Sequence, residues 1–291
     1  MVKFSHSVFA LPFALMATFL AARTAFRVGV TLSPYPRIGQ VLLILCCMVS
    51  ARSAAMTFNR IVDTAIDARN PRTARRALPA GTMSRGEAAL FFATASVAFV
   101  LSCAGFWWAY ANFWPAVFSV PVLVYICLYS YTKRFTPWSH FVLGSAIALS
   151  PGAAWLAIHP ASLGWPGLLL VGAVATWIAG FDIIYACQDI EIDRREGLHS
   201  LPARIGPARA LAIARGCHVM TVLLLIALAP VAQLRYVYVA GVAIVAVLLF
   251  VENSLVRPSD FSRVNVAFFT LNGIISLVLA GLTITDTLVY R

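Results

Sequence analysis

The chain has 291 residues, of which 61% are hydrophobic and only 11% are charged, and its mean hydropathy is +0.85. A soluble domain carries about 25% charged residues. The composition therefore indicates an integral membrane protein and leaves little room for a soluble domain. The net charge of +11 does not indicate nucleic-acid binding, because the basic residues concentrate in alternate loops between apolar runs.

Nine apolar runs are long enough to cross a bilayer as helices, which takes about 20 residues each. No alternating strands typical of a membrane barrel are found, so the expected fold class is all-α and polytopic. The first run follows Lys3, lacks a small-residue cleavage site and is interpreted as a retained helix. The predicted helices lie near 6–30, 38–58, 86–108, 112–131, 139–158, 165–186, 208–229, 233–252 and 264–285.

The loops between the second and third, fourth and fifth, sixth and seventh, and eighth and ninth helices carry most of the Lys and Arg residues. By the positive-inside rule, these loops and the N-terminus are cytoplasmic, and the C-terminus lies outside. We therefore expect a protein of the bacterial inner membrane whose site opens to the cytoplasm.

Two acidic stretches, 59–67 and 185–193, stand out because carboxylates are costly near lipid. Each has a polar residue, an Asp four positions on and a second Asp four positions further. The same template recurs 126 positions later, from 63 to 189. The polar residues are Asn59 and Tyr185, and the aspartates are Asp63, Asp67, Asp189 and Asp193.

This fixed offset predicts an internal repeat within one transmembrane domain that covers 1–291. The halves span roughly 1–135 and 136–255, with an additional helix at 264–285. Because an even number of helices separates the two acidic stretches, the repeat is parallel and both stretches face the same side. Shared sites often lie at the interface between such repeats, so a central cavity is expected there.

Residues at i, i+4 and i+8 share one face of a helix, so each stretch forms a row of ligands, which Asp182 extends by one turn. So many carboxylates repel one another unless cations lie among them. Oxygen ligands suit Mg²⁺, which binds through carboxylates and substrate phosphates. We expect a diphosphate bridged by Mg²⁺ to both stretches, with arginines on its oxygens. The candidates are Arg72, Arg75, Arg76 and Arg204.

At these residues the chain resembles the UbiA superfamily of intramembrane aromatic prenyltransferases. The row from Asn59 to Asp67 is similar to the family's first motif. The segment 70–81, which contains Leu-Pro-Ala-Gly, looks like its basic loop. The second motif corresponds to 182–193, and the resemblance covers essentially the whole chain. Gln188 stands where some members have Lys before the motif aspartate.

The resemblance implies that the four motif aspartates hold Mg²⁺ on a polyprenyl diphosphate, with Asn59 and Tyr185 beside it. After the diphosphate departs, an aromatic ring attacks the allylic cation. In much of the family this ring is 4-hydroxybenzoate, an acceptor of ubiquinone biosynthesis. Asp182 would then polarise the phenol, and Arg52, two turns before Asn59 on the same face, would bind the carboxylate.

Other functions stay open at this point. The acceptor could be a dihydroxynaphthoate-type acid of menaquinone biosynthesis, and haem, chlorophyll or tocopherol acceptors are further alternatives. Arg52 and Asp182 could also have structural roles, as an interhelical pair and as a support for neighbouring charges. From another class, a transporter of a phosphorylated or cationic solute would use the same acids as a transit site. The sequence does not give the isoprenoid chain length or the oligomeric state.

Overall fold

The computed structural model describes residues 10–290, apart from the side chains of 266–268. The first residues of the predicted helix 1 lie outside that range. The described part is helical, with one isolated bridge between Arg257 and Asp260 and no strand. The predicted all-α fold is therefore confirmed.

The first half contains four long helices and one short one after the first acidic row. Helix α4 begins with a capping box, in which Ser84 Oγ accepts from Glu87 N at 3.1 Å and Glu87 Oε2 accepts from Ser84 N at 2.7 Å. The helices are α1 (Leu11–Arg27), α2 (Ile38–Val62), α3 (Thr64–Arg69), α4 (Arg85–Tyr110) and α5 (Trp114–Thr132).

In the second half, α6 to α11 have the same order of long and short helices, with one further short helix, α9, after the second acidic row, and α12 follows as an additional long helix. The last helix follows a π-helical segment, Val266–Leu271. The helices are α6 (Ser139–Ile158), α7 (Trp165–Ala186), α8 (Ile190–Arg195), α9 (Leu201–Ile205), α10 (Pro207–Val231), α11 (Tyr236–Leu255) and α12 (Asn272–Val289).

Eight of the described helices are long and apolar enough to cross a membrane: α2, α4, α5, α6, α7, α10, α11 and α12. Helix α1, with 17 described residues, corresponds to the first of the nine predicted helices. The outer surface carries many exposed apolar side chains, such as Leu90, Trp108 and Phe250. Such side chains are stable on an outer surface that contacts lipid. Together with the eight apolar spans, they indicate an integral membrane protein.

Helix α7 is the most buried of the eight spans and forms the centre of the bundle. It approaches α6 closely at Gly144, where an added Cβ would lie 2.4 Å from the backbone oxygen of Ala175. Small residues allow such close backbone contact between membrane helices. Helix α7 is further held by Asn272 of α12, which accepts from Trp177 Nε1 at 2.8 Å and donates to Glu252 Oε1 at 2.9 Å. The helix that carries Asp182 is thus firmly placed.

Candidate active site

The first acidic row lies where α2 bends into α3. Asp63 is the residue at the bend, with φ −91° and ψ 5°. The helical hydrogen-bond pattern nevertheless continues, because Asp63 N donates to Asn59 O at 2.9 Å and Asp67 N donates to Asp63 O at 2.8 Å. The three side chains therefore share a face, and Asn59 Nδ2 donates to Asp63 Oδ2 at 3.1 Å.

The second row is less regular than the spacing predicts. Helix α7 ends at Ala186, and a 3₁₀ turn from Cys187 to Asp189 leads into α8. The tighter turn interrupts a continuous α-helix. Asp189 and Asp193 nevertheless line the same cavity as the first row.

Both rows line one polar cavity of about 220 Å³ at a single end of the bundle. The C-terminal ends of α2, α5 and α7 and the start of α6 surround it, and the segments after the two acidic rows complete its wall. Its charged side chains are Asp63, Asp67, Asp182, Asp189, Asp193, Arg72, Arg76 and Lys133. Acidic and basic groups thus alternate within the cavity.

The buried carboxylate of Asp63 is paired with two cations from the end of α5. Lys133 Nζ lies 2.9 Å from Asp63 Oδ2, and Arg134 Nη2 lies 3.2 Å from Asp63 Oδ1. Burial of a carboxylate requires such partners. These two residues, which the sequence suggests only as markers of a cytoplasmic loop, belong to the site.

Asp67 and Asp189 are paired with arginines of the loop that follows α3. Arg76 Nη1 contacts both oxygens of Asp67, at 2.7 and 2.8 Å. Arg72 binds Asp189 through two nitrogens, with Nη2 2.6 Å from Oδ2 and Nε 3.3 Å from Oδ1. Asn70 Nδ2 donates to Asp189 Oδ1 at 3.4 Å. The loop of the first half therefore reaches the acids of the second half.

Arg72 also contacts Tyr185, whose hydroxyl accepts from Arg72 Nη1 at 2.9 Å. The guanidinium lies 5.3 Å from the centre of the Tyr185 ring. Burial lowers the pKa of Arg72, but the attraction of Asp189 and the contact with Tyr185 outweigh burial and raise its pKa above the usual value. Arg72 is therefore a permanent cation in the cavity.

The donor set fits Mg²⁺ by its chemistry, because carboxylate oxygens from both rows and the amide of Asn59 line one polar cavity. Within residues 10–290, no three acidic, His or Cys side chains converge tightly enough to form a complete metal site by themselves. Mg²⁺ usually takes only one or two carboxylates and completes its shell with water and substrate phosphates. The arrangement is that of a site which a diphosphate would help to form.

A second, apolar cavity of about 370 Å³ adjoins the polar one and extends into the bundle. Four polar residues line both cavities, namely Asn59, Tyr129, Asp182 and Tyr185. An elongated molecule with a charged head and an apolar tail would fit this pair of spaces, with the point where they meet next to Asp182.

Three comparisons with known proteins agree with this geometry. Residues 10–274 match the UbiA prenyltransferase family. The chain belongs to the UbiA prenyltransferase family.

One relative is the 4-hydroxybenzoate octaprenyltransferase of Edwardsiella ictaluri (strain 93-146), which is 31% identical over 220 residues, 75% of this chain and 74% of that protein. A solved apo structure of a UbiA homolog from Aeropyrum pernix K1 is 30% identical, has a TM-score of 0.84 and covers 98% of this chain and 99% of that one. The chain is therefore a membrane-embedded prenyltransferase.

A UbiA homolog from Archaeoglobus fulgidus, solved with bound GPP and Mg²⁺, shares the fold with a TM-score of 0.70 at 20% identity. The superposition covers 98% of this chain and 100% of that one. This likeness shows the common architecture, and the site of the present UbiA protein is argued from its own residues.

Among the predicted site residues, Arg75 and Arg204 do not line either cavity, and both are exposed. Arg75 lies next to Arg76, but the turn that aims Arg76 at Asp67 leaves its neighbour on the surface. Arg204 lies in α9 and is exposed. Of the four predicted arginines, Arg72 and Arg76 line the polar cavity.

Arg52 lines the apolar cavity deeper than Asn59. Its Nε is buried and has no hydrogen-bond partner among the described residues, and the same holds for Ser150 Oγ in the same cavity. Ser150 was not predicted, since a lone serine in an apolar helix carries no signal of function. His140, also not predicted, contacts Asp182 at 2.6 Å.

Proposed function

We propose that this protein transfers a polyprenyl group from a polyprenyl diphosphate to the ring of 4-hydroxybenzoate in a Mg²⁺-dependent reaction of ubiquinone biosynthesis. The observation that carries the proposal is the joining of a polar, acid-lined cavity to an apolar one at Asp182 and Tyr185. The diphosphate occupies the first cavity, and the reacting carbon lies at the junction.

The polar cavity supplies both signs of charge for the diphosphate. Lys133, Arg72 and Arg76 are held there by ion pairs with Asp63, Asp189 and Asp67. The motif aspartates would hold Mg²⁺, which would supply positive charge to neutralise the diphosphate as a leaving group. The cations then bind phosphate oxygens, where negative charge develops as the bond breaks.

The reaction forms one carbon–carbon bond and breaks one carbon–oxygen bond. The electron pair of the C1–O bond leaves on the diphosphate, and the ring carbon beside the hydroxyl bonds to C1. The ring carbon then loses its proton to the departed diphosphate, which is the base that the reaction itself supplies. Tyr129, Phe181 and Tyr185 line the junction or the adjoining cavity and offer aromatic faces to the allylic cation. The apolar walls keep water away from it.

Support for an aromatic acid as the acceptor comes from Arg52 and Asp182, which lie on α2 and α7 and line the same cavity. A guanidinium in an apolar cavity is costly without an anion. The unpartnered Arg52 Nε and Ser150 Oγ suit the carboxylate of an aromatic acid. Asp182 accepts a hydrogen bond from the hydroxyl of the aromatic acid and thereby increases the electron density of the acceptor ring.

The positive-inside rule supports a cytoplasmic location for the polar end of the bundle in the inner membrane. Lys133, Arg134 and the two basic segments after the acidic rows all lie at that end. The hydrophilic diphosphate then enters from the cytoplasm, and the isoprenoid tail stays within apolar surroundings.

The test is release of diphosphate from a polyprenyl diphosphate in membranes that contain the protein and 4-hydroxybenzoate. Asp63→Asn and Asp189→Asn should each lower the rate by about 10²-fold or more, because each removes a charge from the diphosphate site. Asp260→Asn, which changes an exposed carboxylate in the loop after α11, should leave the rate unchanged.

Full turnover by the Asp63 and Asp189 variants, or full turnover with a metal chelator present, would contradict the proposal. Transport of a phosphorylated solute without any diphosphate release would favour the transporter instead.

A further inference from the structure

His140 contacts the carboxylate of Asp182, which lies at the junction of the two cavities. It is the second residue of α6, is buried, and its Nδ1 lies 2.6 Å from Asp182 Oδ2. On its other side, Nε2 lies 3.2 Å from the backbone nitrogen of Leu201 at the start of α9. The imidazole therefore bridges α6, α7 and α9.

The two contacts define the tautomer of the ring. The backbone N–H of Leu201 can only donate, so His140 Nε2 accepts and carries no proton. The ring proton is then on Nδ1, which donates to Asp182 Oδ2. Metal-bound histidines behave similarly, because the hydrogen bond made by one ring nitrogen fixes which nitrogen carries the proton.

We infer that His140 is a positioning residue that orients the Asp182 carboxylate toward the acceptor hydroxyl, an inference that rests on the proposed function. The carboxylate side chain has rotational freedom, and 23% of its surface is exposed to the cavities. A donor fixed from behind holds one oxygen, and the other oxygen accepts from the substrate. His140 acts through Asp182 and does not touch the reacting atoms.

The chain offers two variants that separate the two contacts of the imidazole. The amide nitrogen of Asn can replace Nδ1, so His140→Asn keeps a donor for Asp182 and loses the acceptor for Leu201. The amide oxygen of Gln reaches the position of Nε2, so His140→Gln keeps the acceptor for Leu201 and loses the donor for Asp182. A purely structural role in holding α9 would make the Asn variant the more damaging one.

The kinetic experiment measures kcat and both KM values for 4-hydroxybenzoate and a polyprenyl diphosphate. His140→Gln should lower kcat by about 10- to 100-fold, because loss of orientation at a reacting group has effects of this size. The KM for the polyprenyl diphosphate should stay within about twofold, and His140→Asn should retain kcat within about threefold.

A double-variant cycle adds a second criterion. In an Asp182→Asn background, His140→Gln should cause no further loss, since the two residues act as a unit. Losses of kcat that multiply in the double variant would overturn the inference. A His140→Gln variant in which only the KM for the polyprenyl diphosphate rises would also overturn it. The same holds if His140→Asn loses more activity than His140→Gln.

A measurement that does not depend on turnover separates a failure of this inference from a failure of the proposed function. In protein labelled with ¹⁵N-histidine, the signal that disappears in His140→Asn should have the shifts of a neutral ring protonated at Nδ1, and Asp182→Asn should change it. A proton on Nε2 would overturn the inference even if the enzyme uses another acceptor. A wild-type enzyme inactive toward 4-hydroxybenzoate, with the expected signal, would overturn only the proposed acceptor.

Discussion

At the residue scale, the function depends on how acids and cations are paired around one cavity. The sequence predicts the aspartates of the site because their spacing repeats at a fixed offset along the chain. Lys133, Arg134 and His140 carry no such pattern. Basic pairs occur in cytoplasmic loops for reasons of topology, and the role of His140 depends on Asp182 and Leu201, which are 42 and 61 residues away.

The adjacent arginines Arg75 and Arg76 provide a matched test of this pairing. Arg76→Gln should lower kcat/KM for the polyprenyl diphosphate by about 10²-fold, because a cation that faces developing phosphate charge is lost. Its neighbour is exposed and lines neither cavity, so Arg75→Gln should stay within about twofold.

Steady-state kinetics over a range of polyprenyl diphosphate concentrations would measure both variants. Equal losses in the two variants would contradict the assignment of Arg76 to the site, as they would indicate a general effect of loop charge.

At the element scale, the packing of α6 on α7 places Asp182 and His140 opposite each other. The length of the apolar runs predicts these helices, and the observed bounds agree with it, with α6 at Ser139–Ile158 and α7 at Trp165–Ala186. The bend at Asp63 and the 3₁₀ turn before α8 were not predicted, because spacing at multiples of four looks the same with or without a local bend.

Gly144 is the closest point of that packing. Gly144→Ala would bring a Cβ to 2.4 Å from the backbone oxygen of Ala175, so the two helices must separate. We expect a loss of about 1–3 kcal/mol in stability, the usual cost of overpacking a core. Activity should fall as well, since the contact between Asp182 and His140 spans the same two helices.

Gly216→Ala is the control, because an added Cβ there meets nothing within 4 Å. Thermal unfolding of both variants in detergent would make the comparison. A Gly144→Ala variant as stable as the control would contradict the account of a close α6–α7 contact.

At the scale of the whole molecule, two halves with the same order of helices contribute one acidic row each to a shared cavity. Composition and the repeated motif predict the membrane class, the number of crossings and the presence of this shared site. They do not predict the division into a polar and an apolar cavity, which depends on how side chains from at least four helices pack together. Arg52 is an example. The sequence predicts that it shares a face of α2 with Asn59. That its Nε is buried without a partner at the cavity wall depends on how α6 and α7 pack against α2.

We propose that a polyprenyl chain is joined to the ring of 4-hydroxybenzoate in this cavity. In the most direct measurement, membranes that contain the protein are incubated with Mg²⁺ and one polyprenyl diphosphate. One reaction receives 4-hydroxybenzoate and a parallel one receives a dihydroxynaphthoate, and the products are identified by mass. The account predicts a prenylated 4-hydroxybenzoate that retains its carboxylate and forms only with Mg²⁺. Prenylation of the naphthoate alone, or equal product formation with a chelator present, would contradict it.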